Sequence, residues 1–343
     1  MSSLSKAIVK QVTARVFGCP TAKKVGGNPV TVFVWEDQNV VTKDDNRFET
    51  LAQTCSWESV HVVATKHHHP HPQHIFYFYM PSGERVSFCA HAAMGASAVM
   101  VNNQNEQENH HKTTTTNHFN FITEHPSMTV HTTKVDTQPL RVKLEMDCTN
   151  FNEQVLNTTT QIDTLKQLVS QIGLDFHQDV VHHSQYLPSC RNSTIARYKT
   201  LIPIVSLEKL HTAKNPKNSD IFRDLCDSID STGLYLYCPI INSSCSSKSY
   251  ECRQFPRASG YPEDPATGIA ASALACSLRK MNQSSSNYDF DSYQFYQGTA
   301  MGRRSVIEIK FENGIQETIK LLCSGNVDID STKILDYGIT KEL

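Results

Sequence analysis

Two stretches far apart in the chain carry one pattern. Phe88–Met100 reads FCAHAAMGASAVM, and Asp264–Leu274 reads DPATGIAASAL. With Cys89 set against Asp264, GASAV of the first stretch falls on AASAL of the second. Side chains as small as Ala92, Ala93, Gly95 and Ala96, or Gly268 and Ala270–Ala273, let strands wrap tightly around a helix and bury it. A chain of 343 residues is comfortable for two domains. Two such helices therefore point to an internal duplication, each half enclosing one.

Both helices open on polar groups, Cys89 and His91 in one and Asp264 in the other. A helix N-terminus presents unpaired N–H groups and roughly half a positive charge, so it attracts anions. Two such ends facing one cleft would make a carboxylate pocket, each end worth up to about 2 kcal/mol. Taken singly, an Ala-rich helix is an ordinary core element, and an Asp or Thr at its start is an ordinary cap. The matching of both entrances favours a site.

The spacing of apolar residues orders the rest. In the first half, strands are expected at Ala7–Phe17, Pro29–Trp35, Val60–Thr65 and Ile75–Met80, with a helix over Asp44–Cys55 and another from Ala92 to Val101. The polar run Asn102–His118 reads as a surface loop. In the second half, strands are expected at Met128–His131, Leu140–Met146, around Ser193–Pro203, Leu234–Ile241, Tyr293–Gln297 and Ser305–Phe311. Helices are expected at Ile162–Ile172 and from Asp264, and loops at Asn242–Ser249 and Asn282–Asn287.

A net charge of −2 without a strongly basic face or tail argues against nucleic acid or an anionic membrane as partner. No apolar run reaches the ~18–20 residues of a membrane helix, and Met1–Gln11 lacks the apolar core of a secretory signal. The 11 cysteines are odd in number and contain no Cys-x-x-Cys pair, which points to free thiols in a reducing, cytoplasmic setting.

Several stretches together resemble one family. GGNPVTVFVWED is similar to its first turn and strand, and WESVHVVAT to its Ser-Glu-Thr followed by a strand. MPSGERVSFCAHAAMGASAVM resembles its Pro-x-x-Glu…Phe-Cys-Gly-His-Ala segment. EDPATGIAASALACSL resembles its Glu-Asp-Pro-Ala-Thr-Gly-Ser-Ala segment, and QGTAMGRRSVIEI its Gln-Gly…Met-Gly-Arg-Pro-Ser strand. These marks run in family order and identify the phenazine-biosynthesis-like isomerases, the PhzF family. The resemblance implies an α+β protein of two pseudo-symmetric diaminopimelate epimerase-like domains, each a curved, barrel-like sheet around a central helix. It implies an N-terminal domain over residues 1–122, to which 325–343 return, and a C-terminal domain over 123–324. It further implies a site in the cleft between them, no cofactor or metal, a homodimer, and acid–base movement of a proton on a small carboxylic acid. The proton-shuttling glutamate maps to Glu58, with His91 and Asp264 beside the substrate; Cys89, Ala90, Gly268, Ile269, Asn28 and Gly298 match positions lining it.

The residues suit that chemistry. Moving a proton from carbon needs a base, a way to stabilise the charge that develops, and a group that returns the proton. Glu58 serves as base and acid if it reaches two carbons, provided burial holds its pKa up against the helix ends. Without the resemblance, Glu58 reads as a solvated strand edge, His91 as a core or capping histidine, and Cys89 as a small buried residue. Asn28 and Gly298 read equally well as turn residues. A Cys89–His91 nucleophile pair lacks an orienting third group, and the HHHPHPQH tract (His67–His74) reads as an exposed hairpin rather than a metal site. Two departures stand out: Ile269 replaces the family serine and Ala90 the family glycine. They point to a different, more apolar substrate, or to a binding protein that kept the fold without turnover.

Overall fold

The computed structural model describes residues 7–21, 26–35, 45–64, 74–108, 114–119, 121–122, 128–135, 140–148, 151–182, 184, 187–241, 248–282, 292–313 and 319–337. The chain forms β1 (Ala7–Gly18), β2 (Asn28–Trp35), α1 (Asn46–Gln53), β3 (Ser59–Ala64), β4 (His74–Tyr79), β5 (Arg85–Val86) and α2 (Ala90–Glu108). Next come β6 (Thr114–Phe119), β7 (Phe121–Ile122), β8 (Met128–Val135), β9 (Leu140–Asp147), β10 (Asn152–Val155), α3 (Thr159–Gln171) and α4 (Phe176–Asp179). They are followed by β11 (Arg191–Thr194), β12 (Lys199–Pro203), α5 (Leu207–Thr212), α6 (Ser219–Asp227), β13 (Gly233–Ile240) and β14 (Lys248–Pro256). The order ends with α7 (Gly268–Asn282), β15 (Ser292–Gln297), β16 (Ser305–Asn313) and β17 (Ile319–Tyr337). These elements group into two compact units, Met1–Val16 with Pro29–Glu145 and Gly325–Leu343, and Phe17–Asn28 with Met146–Ser324.

In the first unit, β2 runs parallel to β3, with Thr31 opposite Ser59, and β3 runs antiparallel to β4. The small-residue helix α2 packs on β3 and β8. Ala92, Ala93, Met94, Ala96, Ser97 and Ala98 are all buried. Gly95 shows how close the packing is: a Cβ there would stand 2.5 Å from Val30 Cγ1 and 3.4 Å from Val16 Cγ2. On α1, Asp45 caps the start by accepting the Arg47 N–H at 3.0 Å. Its buried residues Phe48, Leu51 and Ala52 join Phe33, Trp35, Tyr77 and Tyr79 in a second core. His61 lies within that core, stacked between Phe33 and Phe48 with ring centroids 4.8 and 4.3 Å away. Its Nδ1 accepts the Trp35 indole N–H at 3.1 Å.

In the second unit, β10, β11 and β12 pair antiparallel, β12 and β13 parallel, and β13 and β14 antiparallel. The ladder continues with β14 parallel to β15, β15 antiparallel to β16, and β16 antiparallel to β17. Helix α7 packs on β11, β12 and β16. The other face takes α3, α5 and α6, whose Leu165, Leu168, Leu210 and Phe222 share a core with Ile202, Leu234 and Leu236. Alternation along β13 sends Tyr235 and Tyr237 the opposite way, where both are fully buried. The sheet is therefore covered on both faces. Helix α3 starts in a capping box of Thr158 and Gln161.

The expected strands and the two small-residue helices are present, and several boundaries differ. Within Asn102–His118, α2 continues through Glu108 and Thr114–Phe119 is β6, antiparallel to β8, while residues 109–113 lie outside the described residues. The Gln and Glu of that run are good helix formers, and its threonines favour extended backbone, so local propensity outweighs polarity there. The second small-residue helix starts at Gly268, four residues after Asp264, and Asp264 bridges antiparallel to Gln254 instead. Of the two expected loops, Lys248 and Ser249 already belong to β14 and Asn282 to α7, while residues 242–247 and 283–287 lie outside the described residues. Of the histidine tract, residues 67–73 lie outside the described residues, and His74 opens β4 opposite Ala64. Among the described residues, no helix is long and apolar enough to cross a membrane.

Two outcomes follow from the first unit's packing. Gly95→Ala is expected to lower stability by about 1–3 kcal/mol through overpacking against Val30, measured by urea unfolding. Burial lowers the His61 pKa from 6.5 to about 3, with the Phe48 backbone offsetting part of the effect. The unfolded chain therefore binds one more proton between those two values. Stability should be full above about pH 6.5 and fall by about 1.4 kcal/mol per pH unit from this group as pH drops toward 3. Urea unfolding of His61→Gln across pH 4.5–7.5 should show a slope shallower than that of the parent protein.

Candidate active site

The first unit brings Glu58, Cys89, Ala90 and His91 together. Glu58 stands just before β3, where its carbonyl accepts the Thr31 N–H at 3.1 Å and fixes the strand start to β2. The Trp57 indole N–H donates to Thr31 Oγ1 at 3.1 Å, locking the same corner. Cys89 caps α2, because its carbonyl accepts the Ala93 N–H at 2.9 Å. His91, in the first turn, places Nε2 3.8 Å from Glu58 Oε2 and Nδ1 3.4 Å from the Cys89 sulfur. The imidazole thus lies between a carboxylate and a thiol, and all three side chains are buried.

Burial lowers the His91 pKa, the Glu58 carboxylate pulling it partly back up and the Pro29 backbone adding to that. Near neutral pH the ring is uncharged, one nitrogen donating and the other accepting. The first N–H groups of α2 have no partner inside the helix and carry its positive end. The corner therefore holds a carboxylate, a neutral imidazole and an electropositive backbone terminus within a buried space. Such a set can move a proton while a helix end bears negative charge.

The second unit gathers Asn28, Asp264, Gly268, Ile269 and Gly298. Asp264 Oδ1 accepts the Asn28 amide at 2.8 Å and the Ala266 N–H at 3.2 Å, and Oδ2 accepts the Thr267 hydroxyl at 2.6 Å. Asn28 also donates to the Ala266 carbonyl at 2.8 Å. Thr267, not Asp264, is the cap of α7, its carbonyl accepting the Ala271 N–H at 3.0 Å. Gly268 starts the helix against Phe17 and Cys323, where a Cβ would stand 3.0 Å from the ring and 3.2 Å from the sulfur. Gly298 has φ +78°, and a Cβ there would meet the Arg303 carbonyl at 2.5 Å and that of Pro265 at 3.0 Å. Ile269 is buried.

Two residues that hold this entrance were not singled out in the sequence, Thr267 and Gln297. The Gln297 amide donates to the Asp264 carbonyl at 2.6 Å and to Thr267 Oγ1 at 3.1 Å, while its oxygen accepts the Thr267 N–H at 3.1 Å. A polar residue at a cap position and a Gln directly before a turn glycine are the signals that would have found them. Next to Asp264, Glu263 forms a buried two-point pair with Arg253 at 2.9 and 2.7 Å, and Arg253 also donates to the Leu210 carbonyl. The turn before α7 is therefore fixed on both sides, and the hydrogen bonds engage Asp264 before any ligand arrives.

The fold is of the diaminopimelate epimerase-like class, with a central helix enclosed by strands in each unit. The phenazine biosynthesis-like protein family matches residues 18–327, and the chain belongs to that family. It is similar to a phenazine biosynthesis protein of the PhzF family from Bacillus anthracis, with 14% identity, coverage of 96% and 99% of the two chains, and a TM-score of 0.69. It is also similar to a hydroxyproline epimerase from Agrobacterium vitis, solved with trans-4-hydroxy-L-proline, with 8% identity, coverage of 98% and 93%, and a TM-score of 0.56. An uncharacterized isomerase of Clostridium acetobutylicum is 32% identical over 130 residues, which span 37% of this chain and 41% of that protein.

Gln297→Ala removes three hydrogen bonds and leaves the Asp264 carbonyl and Thr267 N–H to be satisfied otherwise. The expected cost is about 2–4 kcal/mol, read by urea unfolding, with a loss under 0.5 kcal/mol as the result that would discard this anchoring role.

Proposed function

We propose that the protein is a cofactor-independent isomerase or epimerase that moves a proton on a small carboxylic acid, with Glu58 as the proton carrier. The observation that carries this reading is the buried Glu58 carboxylate facing His91 Nε2 at 3.8 Å, beside the positive end of α2. Glu58 takes the proton from carbon and returns it at a second position or face. His91, neutral and linked to Cys89, donates a hydrogen bond to an oxygen on which charge develops, and the helix terminus holds the substrate carboxylate. In the second unit, Asp264 and Asn28 orient polar groups of the substrate, while Gly268, Ile269 and Gly298 shape the entrance of α7. That both entrances serve one substrate, and that the protein works as a homodimer without cofactor, are parts of the proposal carried by the family resemblance. The class of reaction is supported by the isomerase and epimerase relatives, the carboxylate by the amino acid held in the Agrobacterium enzyme.

Ile269 in place of a hydroxyl favours an acid with an apolar group near its carboxylate, and Ala90 narrows the backbone approach beside Cys89. The test is incubation with a pooled set of small carboxylic and amino acids in deuterated water, read by mass spectrometry and NMR. The protein is expected to introduce deuterium at carbon in at least one compound, and Glu58→Gln to reduce that rate by at least about 100-fold while melting normally. Full exchange in Glu58→Gln would remove the assigned role. Retention of a compound with no exchange would favour the binding-protein reading instead.

A further inference from the structure

Outside the groups assigned to proton transfer, the second unit holds two thiols in contact. Cys148 Sγ and Cys276 Sγ stand 4.0 Å apart, joining residues 128 apart in sequence. We propose that Cys148 and Cys276 form a reversible oxidation site, at which hydrogen peroxide converts the two thiols into an intrachain disulfide. The inference does not rest on the isomerase reading.

Three observations carry it. First, both thiols are held in place by groups other than themselves. Cys148 stands directly after β9, its carbonyl accepting the Phe151 N–H at 2.9 Å. Two residues on, Glu153 of β10 accepts Ser277 Oγ at 3.0 Å and Lys280 Nζ at 2.9 Å, both on α7, and Arg191 at 2.9 Å. Ser277 follows Cys276 directly, and Lys280 lies one turn beyond it on the same helix face. Glu153 therefore docks β10 onto the part of α7 that carries Cys276.

Second, the two thiols differ in access. Cys276 is buried, whereas Cys148 is half-exposed. An oxidant in solvent meets Cys148 first and leaves Cys276 protected until it is needed as the resolving group. The Cys148 thiol and then burial hold the Cys276 pKa well above the ordinary thiol range, so Cys276 is a poor first target.

Third, the gap is small. A disulfide needs its sulfurs about 2 Å apart, so closure requires about 2 Å of movement, within reach of side-chain rotation and a slight backbone shift. The chemistry balances in two steps. The Cys148 thiol and hydrogen peroxide give a sulfenic acid and water. The Cys276 thiol then displaces hydroxide from that sulfur, the thiol proton leaving with it as a second water. Two thiols lose two electrons in all, and the peroxide is reduced by two.

The test treats the full chain with a small excess of hydrogen peroxide, blocks remaining thiols with N-ethylmaleimide, and maps peptides by mass spectrometry without reduction. A Cys148–Cys276 linked peptide is expected as the dominant cross-link, reverting with dithiothreitol, and absent in Cys148→Ser. The oxidised protein should also melt several degrees higher than the reduced one, as a bridge closing so long a loop restrains the unfolded chain. Sulfinic Cys148 with no linked peptide, or cross-links spread over other cysteines, would overturn the proposal.

Discussion

The close fit of a small-residue helix inside its strands is the constraint on which the rest depends. At Gly95, the Val30 side chain occupies the space a methyl group would need. This closeness brings the first turn of α2 down beside the start of β3, so that Glu58 meets His91. A wider helix face would hold α2 farther from β2 and β3 and draw the imidazole away from the carboxylate. In the second unit, Gly268 has the same function against Phe17 and Cys323. Size, more than polarity, sets the position of the reactive groups.

A further consequence is electrostatic. Groups placed at the start of an enclosed helix lose water before any ligand arrives, and each must find compensation locally. Asp264 meets this through Asn28, Thr267 and the Ala266 N–H, Glu263 through Arg253, and His91 by remaining neutral. Breaking a buried pair such as Arg253–Glu263 costs about 3–5 kcal/mol, because the remaining charge stays buried. The entrance of α7 is thus fixed before binding. Preorganised dipoles lower the cost of charge formation because they need not reorient during the reaction.

Much of this was legible in the sequence, for identifiable reasons. The two small-residue runs announce helices because no other element requires so many small side chains in succession. Cys89, His91 and Asp264 lie beside those runs, so local reading finds them. Glu58 is different: nothing around it separates it from an exposed strand edge, and the partner that sets it apart, His91 on α2, lies some 30 residues later. Strand β17 was not legible either. It starts in one unit with buried Leu321 and Cys323 and continues in the other past Gly325 to the exposed Ile334. A strand that serves two cores has no single alternation to read. The role of Gln297 is not legible locally because it lies in three hydrogen bonds to Asp264 and Thr267, residues some 30 positions earlier.

Helix α7 starts in the Asp264 network and carries Cys276 further along, and the separation of the two follows from its burial. Gly268 and Cys276 are eight residues apart, about 12 Å along the axis. Closing the thiol gap by moving the helix would displace its first turn as well, since a helix of this length moves as a rigid body. Residues Ala270, Ala271, Ala273, Leu274 and Ala275 are fully enclosed, however, and Gly268 has no room against Phe17. Cys148, at the end of β9, is only partly buried. The lower-cost movement is therefore on the Cys148 side, while Glu153 stays paired in β10 opposite Ser193. Oxidation at one end then leaves the N–H groups at the other where the Asp264 network holds them, and the same rigidity that serves the entrance shields it from the thiols.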